Sequence, residues 1–297
     1  MRLVTFLTAA FVLAISLPAQ ARADLSQKEA RKVLRTMGGW SLPEKAVRIR
    51  SINSNSAESA EARAEIQAVF RLRLRDGRWE LREIRTGPEH WERLDVIARA
   101  ANAELPVGEC DAPPQFARTK SATDLTAKRA RCLVASLLGV PLPSDDVRIK
   151  EVSHFGLSLG PESAALIVAL IQADFRFTRD ARGWQVVSFK SGNRDWVGVS
   201  GLQVAMDQVK RSAATDELSM IAKALGDFRR ERGYFVVSDK ESVLIDHLSP
   251  RYLPRVIRVD PWSRPYQYEG QQDRYSLRSL GPDGKPNTVD DIIVSGP

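Results

Sequence analysis

Two cysteines and three histidines in 297 residues leave little from which metal, redox or nucleophilic chemistry could be built. Cys110 and Cys132 lack the C-x-x-C spacing of a thiol redox motif. Neither His-Glu-x-x-His nor Gly-x-Ser-x-Gly occurs, and His90, His154 and His247 stand singly along the chain. Asp95, the pair Asp145-Asp146 and Asp239 have no sequence reason to converge, so an envelope hydrolase is the least favoured class. Aromatic residues are also sparse, at 7%. They do not interleave with the arginines at 71, 73, 75, 78, 82 and 85, which read as a solvated basic face; nucleic acid is not an expected partner. After residue 17 no stretch is long and apolar enough to span a bilayer.

What is present begins with a leader. Arg2 precedes an almost wholly apolar run from Leu3 to Leu17, Pro18 breaks it, and Ala21-Arg22-Ala23 places small residues where a signal peptidase reads them. The run is about 15 residues, short of the roughly 20 a spanning helix needs. Residues 1–23 therefore read as a cleaved signal peptide, with the mature chain starting at Asp24 and working in the periplasm or outside the cell. The leader carries two arginines and no acid, so its removal lowers the net charge from +7 to +5. That excess is modest, and anionic partners such as outer-leaflet lipid, polysaccharide or an acidic protein surface stay open. In an oxidising compartment a Cys110–Cys132 disulfide is the economical pairing; free or intermolecular thiols are the alternative, since Cys132 also fits an apolar helix face.

The chain repeats itself. Asp24-Leu25, Ala30-Arg31, Gly39, Leu42-Pro43 and Val47-Arg48-Ile49 recur one hundred residues later as Asp124-Leu125, Ala130-Arg131, Gly139, Leu142-Pro143 and Val147-Arg148-Ile149. After a gain of five residues, Ala64, Ile66-Gln67-Ala68, Phe70-Arg71, Trp79, Gly87 and Trp91 match Ala169, Ile171-Gln172-Ala173, Phe175-Arg176, Trp184, Gly192 and Trp196. Each copy predicts a helix (Ser26 to Met37; Leu125 to Leu138) stopped by Gly39 or Gly139 ahead of Leu-Pro. Alternating strands follow: Val47 to Arg50, Ile66 to Leu74 and Trp79 to Ile84 around Asp76-Gly77, then Val147 to Val152, Ile167 to Phe177 and Trp184 to Phe189. The expected class is α+β. Two modules, 24–103 and 124–200, each a helix on a three-stranded antiparallel meander, flank a Pro- and Ala-rich linker at 104–123, with a further domain at 201–297. Trp79 and Trp184 read as core or edge packing rather than as binding platforms.

The last third predicts a helix from Val199 to Arg232, apolar at Leu218, Ile221, Leu225 and Phe228 and ended by Gly233. Pro261 and Pro265 set a turn before a short strand at Tyr266 to Tyr268, a second strand covers Arg274 to Ser279, and Gly281-Pro282-Asp283-Gly284 is a tight turn. Three stretches carry a resemblance: Asp216 to Tyr234, Val259-Asp-Pro-Trp-Ser-Arg-Pro-Tyr-Gln-Tyr268, and Tyr275-Ser-Leu-Arg-Ser-Leu-Gly-Pro-Asp-Gly284 with Asp290-Asp291-Ile292. In order and spacing they resemble the globular carboxy-terminal domain of the G-type major pseudopilin of type II secretion. The resemblance implies a helix on a small antiparallel sheet, with a calcium ion holding the last loop through the carboxylates of Asp283, Asp290 and Asp291 and backbone carbonyls near Leu280 and Val289. It also implies envelope or secretion-apparatus proteins as partners. The family's anchor helix, with its Glu five residues in, has no counterpart in residues 3–17, and the duplicated segment occupies its place. The expected role is a non-catalytic, calcium-stabilised envelope protein acting in assembly; a periplasmic module binding a glycan or peptide is the alternative.

Overall fold

The structure is a computed structural model that describes residues 24–101, 110, 124–142, 144–155 and 163–297. The leader at 1–23 and all of the 104–123 linker except Cys110 lie outside the described residues. Helix α1 (Gln27–Arg35) starts at a capping box, in which the Ser26 hydroxyl accepts from Glu29 N and the Glu29 carboxylate accepts from Ser26 N. Strands β1 (Val47–Ser56), β2 (Ser59–Arg75), β3 (Arg78–Arg85) and β4 (Trp91–Arg93) follow, and then helix α2 (Leu94–Ala100). The second copy supplies α3 (Ala127–Leu138), β5 (Val147–Phe155), β6 (Ala164–Asp180), β7 (Gly183–Lys190) and β8 (Val197–Gly198). The longest element, α4 (Val199–Arg232), leads into α5 (Glu241–Leu248) and the strands β9 (Gln267–Gly270), β10 (Tyr275–Ser279) and β11 (Ile292–Gly296).

The glycine stops work differently in the two copies. Gly139 caps α3 in the left-handed conformation, as the sequence predicts, whereas α1 ends at Thr36 and Gly38 and Gly39 turn the chain after it. The β2–β3 turn places both Asp76 and Gly77 at positive φ, the backbone that a two-residue hairpin requires.

All strands of both copies belong to one eight-stranded sheet. At its centre β2 and β6 pair antiparallel from Ser59↔Thr178 to Arg73↔Ala164. The other edge of β2 is shared end to end by β1 and β3, and that of β6 by β5 and β7. Strict alternation turns Ala60, Ala62, Ala64, Phe70 and Leu72 of β2, and Ala165, Ile167, Ala169, Phe175 and Phe177 of β6, to the helix-covered face.

The two cores are exchanged between the copies. Leu34 of α1 packs with Val47 and Ala64 of its own copy and with Phe175, Phe177 and Trp184 of the other. Leu133 and Val134 of α3 pack with Val147 and Ile167 of their own copy and with Phe70, Leu72 and Trp79 of the first. The expectation that a helix on a three-stranded meander buries its own faces therefore meets a different arrangement. A single meander covers half of each core, and the 17-residue central strands are long enough to serve both helices.

Cys110 and Cys132 form a disulfide with Cα atoms 5.7 Å apart, tying the segment before α3 to that helix. A third core is separate in composition. Leu218, Ile221, Leu225 and Phe228 of α4 pack against Leu244, Ile245 and Leu248 of α5 and against Tyr266, Tyr268 and Leu277 beside and within the β11-β10-β9 sheet. Strand β11 pairs with β10 from Ser279↔Ile292 to Tyr275↔Gly296. The boundary drawn between 200 and 201 falls inside α4, which runs without interruption from the repeat sheet into this third core. Among the described residues no helix is long and apolar enough to cross a membrane.

Candidate functional site

The features with chemical content converge on the end of the chain. Asp260, 3% exposed, organises the first of them: its Oδ1 accepts from the backbone N–H of Trp262 (3.0 Å) and Arg264 (2.9 Å), and its Oδ2 accepts from Ser279 Oγ (2.6 Å). A buried carboxylate is tolerated only when such donors surround it, which explains the aspartate at the head of the Asp-Pro-Trp block. Arg264 then reaches across, donating to Gly281 O and, at 3.1 Å, to Pro282 O. Gly284 lies beneath that guanidinium; a Cβ there would stand 2.6 Å from Arg264 Cζ, and the glycine also sits at positive φ. The Asp-Pro-Trp and Ser-Leu-Gly-Pro-Asp-Gly blocks are thus two halves of one clamp.

Helix α4 grips the same loop from behind. Arg211 donates to Asp290 O at 3.2 Å, and Asp207 accepts from Trp262 Nε1 at 3.1 Å. Beside them Lys210 meets Glu92 of β4 at 2.5 Å, with side chains only 7% and 9% exposed. One turn of helix therefore fastens the terminal domain on one side and the repeat sheet on the other. Lys210 occupies a core position of the helix, between Met206 and Ala214, where a lysine is found only with a partner.

The predicted calcium ligands are distributed as follows. Asp290 Oδ1 accepts from Thr288 Oγ1 at 2.6 Å and its Oδ2 from Asp283 N at 3.1 Å; the Thr288 hydroxyl and this N–H hold its carboxyl below the usual aspartate range. Asp283 Oδ1 accepts from Lys285 N at 2.8 Å. Asp291, its side chain 3% exposed, accepts from Asn287 N at 2.9 Å and faces Arg278 at 3.6 Å. All three carboxylates turn an oxygen toward Thr288 Oγ1, that of Asp283 at 3.4 Å and that of Asp291 at 3.5 Å. Leu280 O accepts from Gly284 N at 3.2 Å, and the Val289 side chain is fully exposed. As arranged, no group of three acidic, histidine or cysteine side chains among the described residues stands ready to hold a metal ion. What the loop gathers is three carboxylates around the hydroxyl of Thr288, the shortest contact being that of Asp290.

The remaining polar residues singled out in the sequence do not gather. Asp95 is held by Arg93 (2.6 Å) and Arg99 (3.2 Å), and Asp146 by Arg63 (2.7 Å). His154 stacks edge-on against Trp79 and His247 against Phe228, in different cores. Trp79 and Trp184 are both buried, as core packing predicts. Asp260, Arg264, Asp207, Lys210 and Arg211 escape sequence reading. Asp260 and Arg264 stood in the block that carries the resemblance without a role being read for them, and Lys210 left a signal as a charge at the three-to-four spacing of the buried face.

Residues 202–295 match the family model of the type II secretion system (T2SS) protein G. The matched segment coincides with α4, the third core and the clamped loop. Neither a curated protein nor a solved structure matches the chain.

Proposed function

We propose that this chain is an exported, non-catalytic envelope protein whose pseudopilin-type head acts in protein–protein assembly with type II secretion or pilus machinery. The observation that carries the proposal is the match of residues 202–295 to secretion-system protein G over a domain with its own core and sheet. The geometry adds how the head is presented. In a pseudopilin the helix preceding the head anchors and builds the filament; here its first turns are covered by α2, with Met206, Lys210 and Ala214 buried. The head is accordingly read as a part displayed on a rigid adaptor, the repeat sheet, rather than as a polymerising subunit.

The proposal extends to a structural calcium ion in the terminal loop. Asp283, Asp290 and Asp291 would supply carboxylates, with backbone carbonyls near Leu280 and Val289, and the ion would stiffen the loop already clamped by Arg264 and Arg211. Support comes from the three carboxylates that each place an oxygen within 3.5 Å of Thr288 Oγ1, whose proton goes to Asp290 at 2.6 Å.

Photo-crosslinking from the exposed Val256 of the head, in cells that express secretion or pilus machinery, tests the assembly role. Adducts to components of that machinery are expected. Their absence, together with retention of the pure protein on immobilised envelope glycans, would replace the assembly role with ligand binding.

A further inference from the structure

The exchange of cores leaves a space between them. Helices α1 and α3 cover opposite ends of the sheet, and over its middle lies a cavity of about 630 Å³. Its floor is the centre of the β2–β6 pair, where Ile66 and Ile171 meet with Phe70 and Phe175 close by. The walls are repeat equivalents as well, Met37 after α1 and Leu137 of α3. Ile97 of α2, with Leu202 and Met206 of α4, completes the lining.

The space is an open cleft rather than a sealed void, and it carries a continuous apolar lining. It is ill suited to ordered water, which needs two to four polar partners that isoleucine and phenylalanine do not give. Its volume lies within the roughly 300–1,000 Å³ of small-molecule sites, and its lining is of the predominantly apolar kind such sites have. Polar side chains enter mainly from one loop, between β7 and β8, as Asn193, Arg194 and Asp195. That loop is fixed in place: Arg194 donates to Leu137 O at 2.9 Å, and Gly192 packs so closely on Gly139 that a Cβ would stand 2.4 Å from its carbonyl oxygen.

We infer that the cavity is a binding site for one acyl chain of an amphiphile, its tail over Ile66 and Ile171 and its polar headgroup at the Asn193–Asp195 loop. An apolar interior with polar residues gathered at one loop suits such a molecule better than a wholly polar or a wholly apolar one. Free fatty acid and a one-chain phospholipid share this chemistry. The site is independent of the terminal loop and of any secretion partner.

The test uses the full mature chain and cis-parinaric acid, whose fluorescence rises in apolar surroundings. Saturable binding of one probe per chain is expected. Ile171→Trp fills the floor and should weaken binding at least tenfold with the melting temperature retained; Ala68→Leu, a smaller intrusion, serves if the tryptophan variant does not fold. Displacement by palmitate identifies a fatty-acid site, and displacement by lysophosphatidylethanolamine alone identifies a phospholipid site. No saturable signal, or wild-type affinity in a folded cavity-filling variant, overturns the inference.

Discussion

Ile66 and Ile171, which the internal repeat aligns with each other, are direct cross-strand partners at the middle of the central β2–β6 pair. A residue that pairs with its own repeat equivalent marks a local twofold axis. Around that axis each helix reaches the strand ends contributed by the other copy. Residues 24–101 expressed alone should therefore lack a fixed tertiary structure, because Leu34 loses Phe175, Phe177 and Trp184. Dispersed, protected amide signals from that fragment would contradict the exchange.

The buried pair Lys210–Glu92 gives a second expectation. Lys210→Met leaves a carboxylate without its partner in a nearly closed site, which should cost about 3–5 kcal/mol in urea unfolding. The double variant with Glu92→Leu should recover most of that loss. A double variant no better than the single one would show that the pair itself, rather than the stranded charge, is what matters.

Glu65 predicts an acid limb of stability. Burial works against its charge, but hydrogen bonds from Arg50 at 2.6 Å and Arg148 at 2.7 Å outweigh it and hold the carboxyl below the ordinary glutamate value. The folded value being the lower one, its contribution is complete above the ordinary glutamate value and is lost as pH falls through the folded value. Glu65→Gln should lower the melting temperature above that window, where the contribution is complete, and flatten its fall as pH drops through the window.

Calcium should raise the melting temperature of the whole chain, since a ligand held only by the folded state stabilises by mass action. Asp290→Ala or Asp283→Ala should abolish the rise. Identical melting curves in calcium and in EDTA would remove the ion from the account.

Breaking the disulfide by Cys110→Ser with Cys132→Ser should lower stability by about 3 kcal/mol on the chain-entropy account of a closed loop of this length. Equal unfolding midpoints with and without a reductant would argue against that account.

Much of this architecture is legible in the residues. The strands at Trp79 and Trp184, the glycine stop at Gly139 and the long helix ended by Gly233 all follow from local periodicity and cap chemistry. The start of β2 was hidden. Ser59 to Glu65 is rich in alanine and glutamate, which favour helix, and pairing with Arg176 and Phe175 across the sheet overrides that preference. The exchange of cores was hidden for a different reason: alternation tells which face of a strand is buried and says nothing of whose helix covers it. The terminal carboxylates were visible as a pattern, but the arginines that clamp their loop lie far off in the chain, Arg264 17 positions from Gly281 and Arg211 79 from Asp290, beyond any local signal.

The repeat register also dates the joint, in a structural sense. Leu94, Ile97 and Ala101 in or just after α2 align with Val199, Leu202 and Met206 of α4, so the helix of the head begins as the last element of the second repeat. No hinge intervenes, and the direction in which the head looks is set by counting. One residue inserted between Arg211 and Leu218 would swing the head about 100° around the helix and advance it about 1.5 Å. The chain thus carries its own protractor, in which the number of residues, rather than any surface contact, fixes the bearing of what it presents.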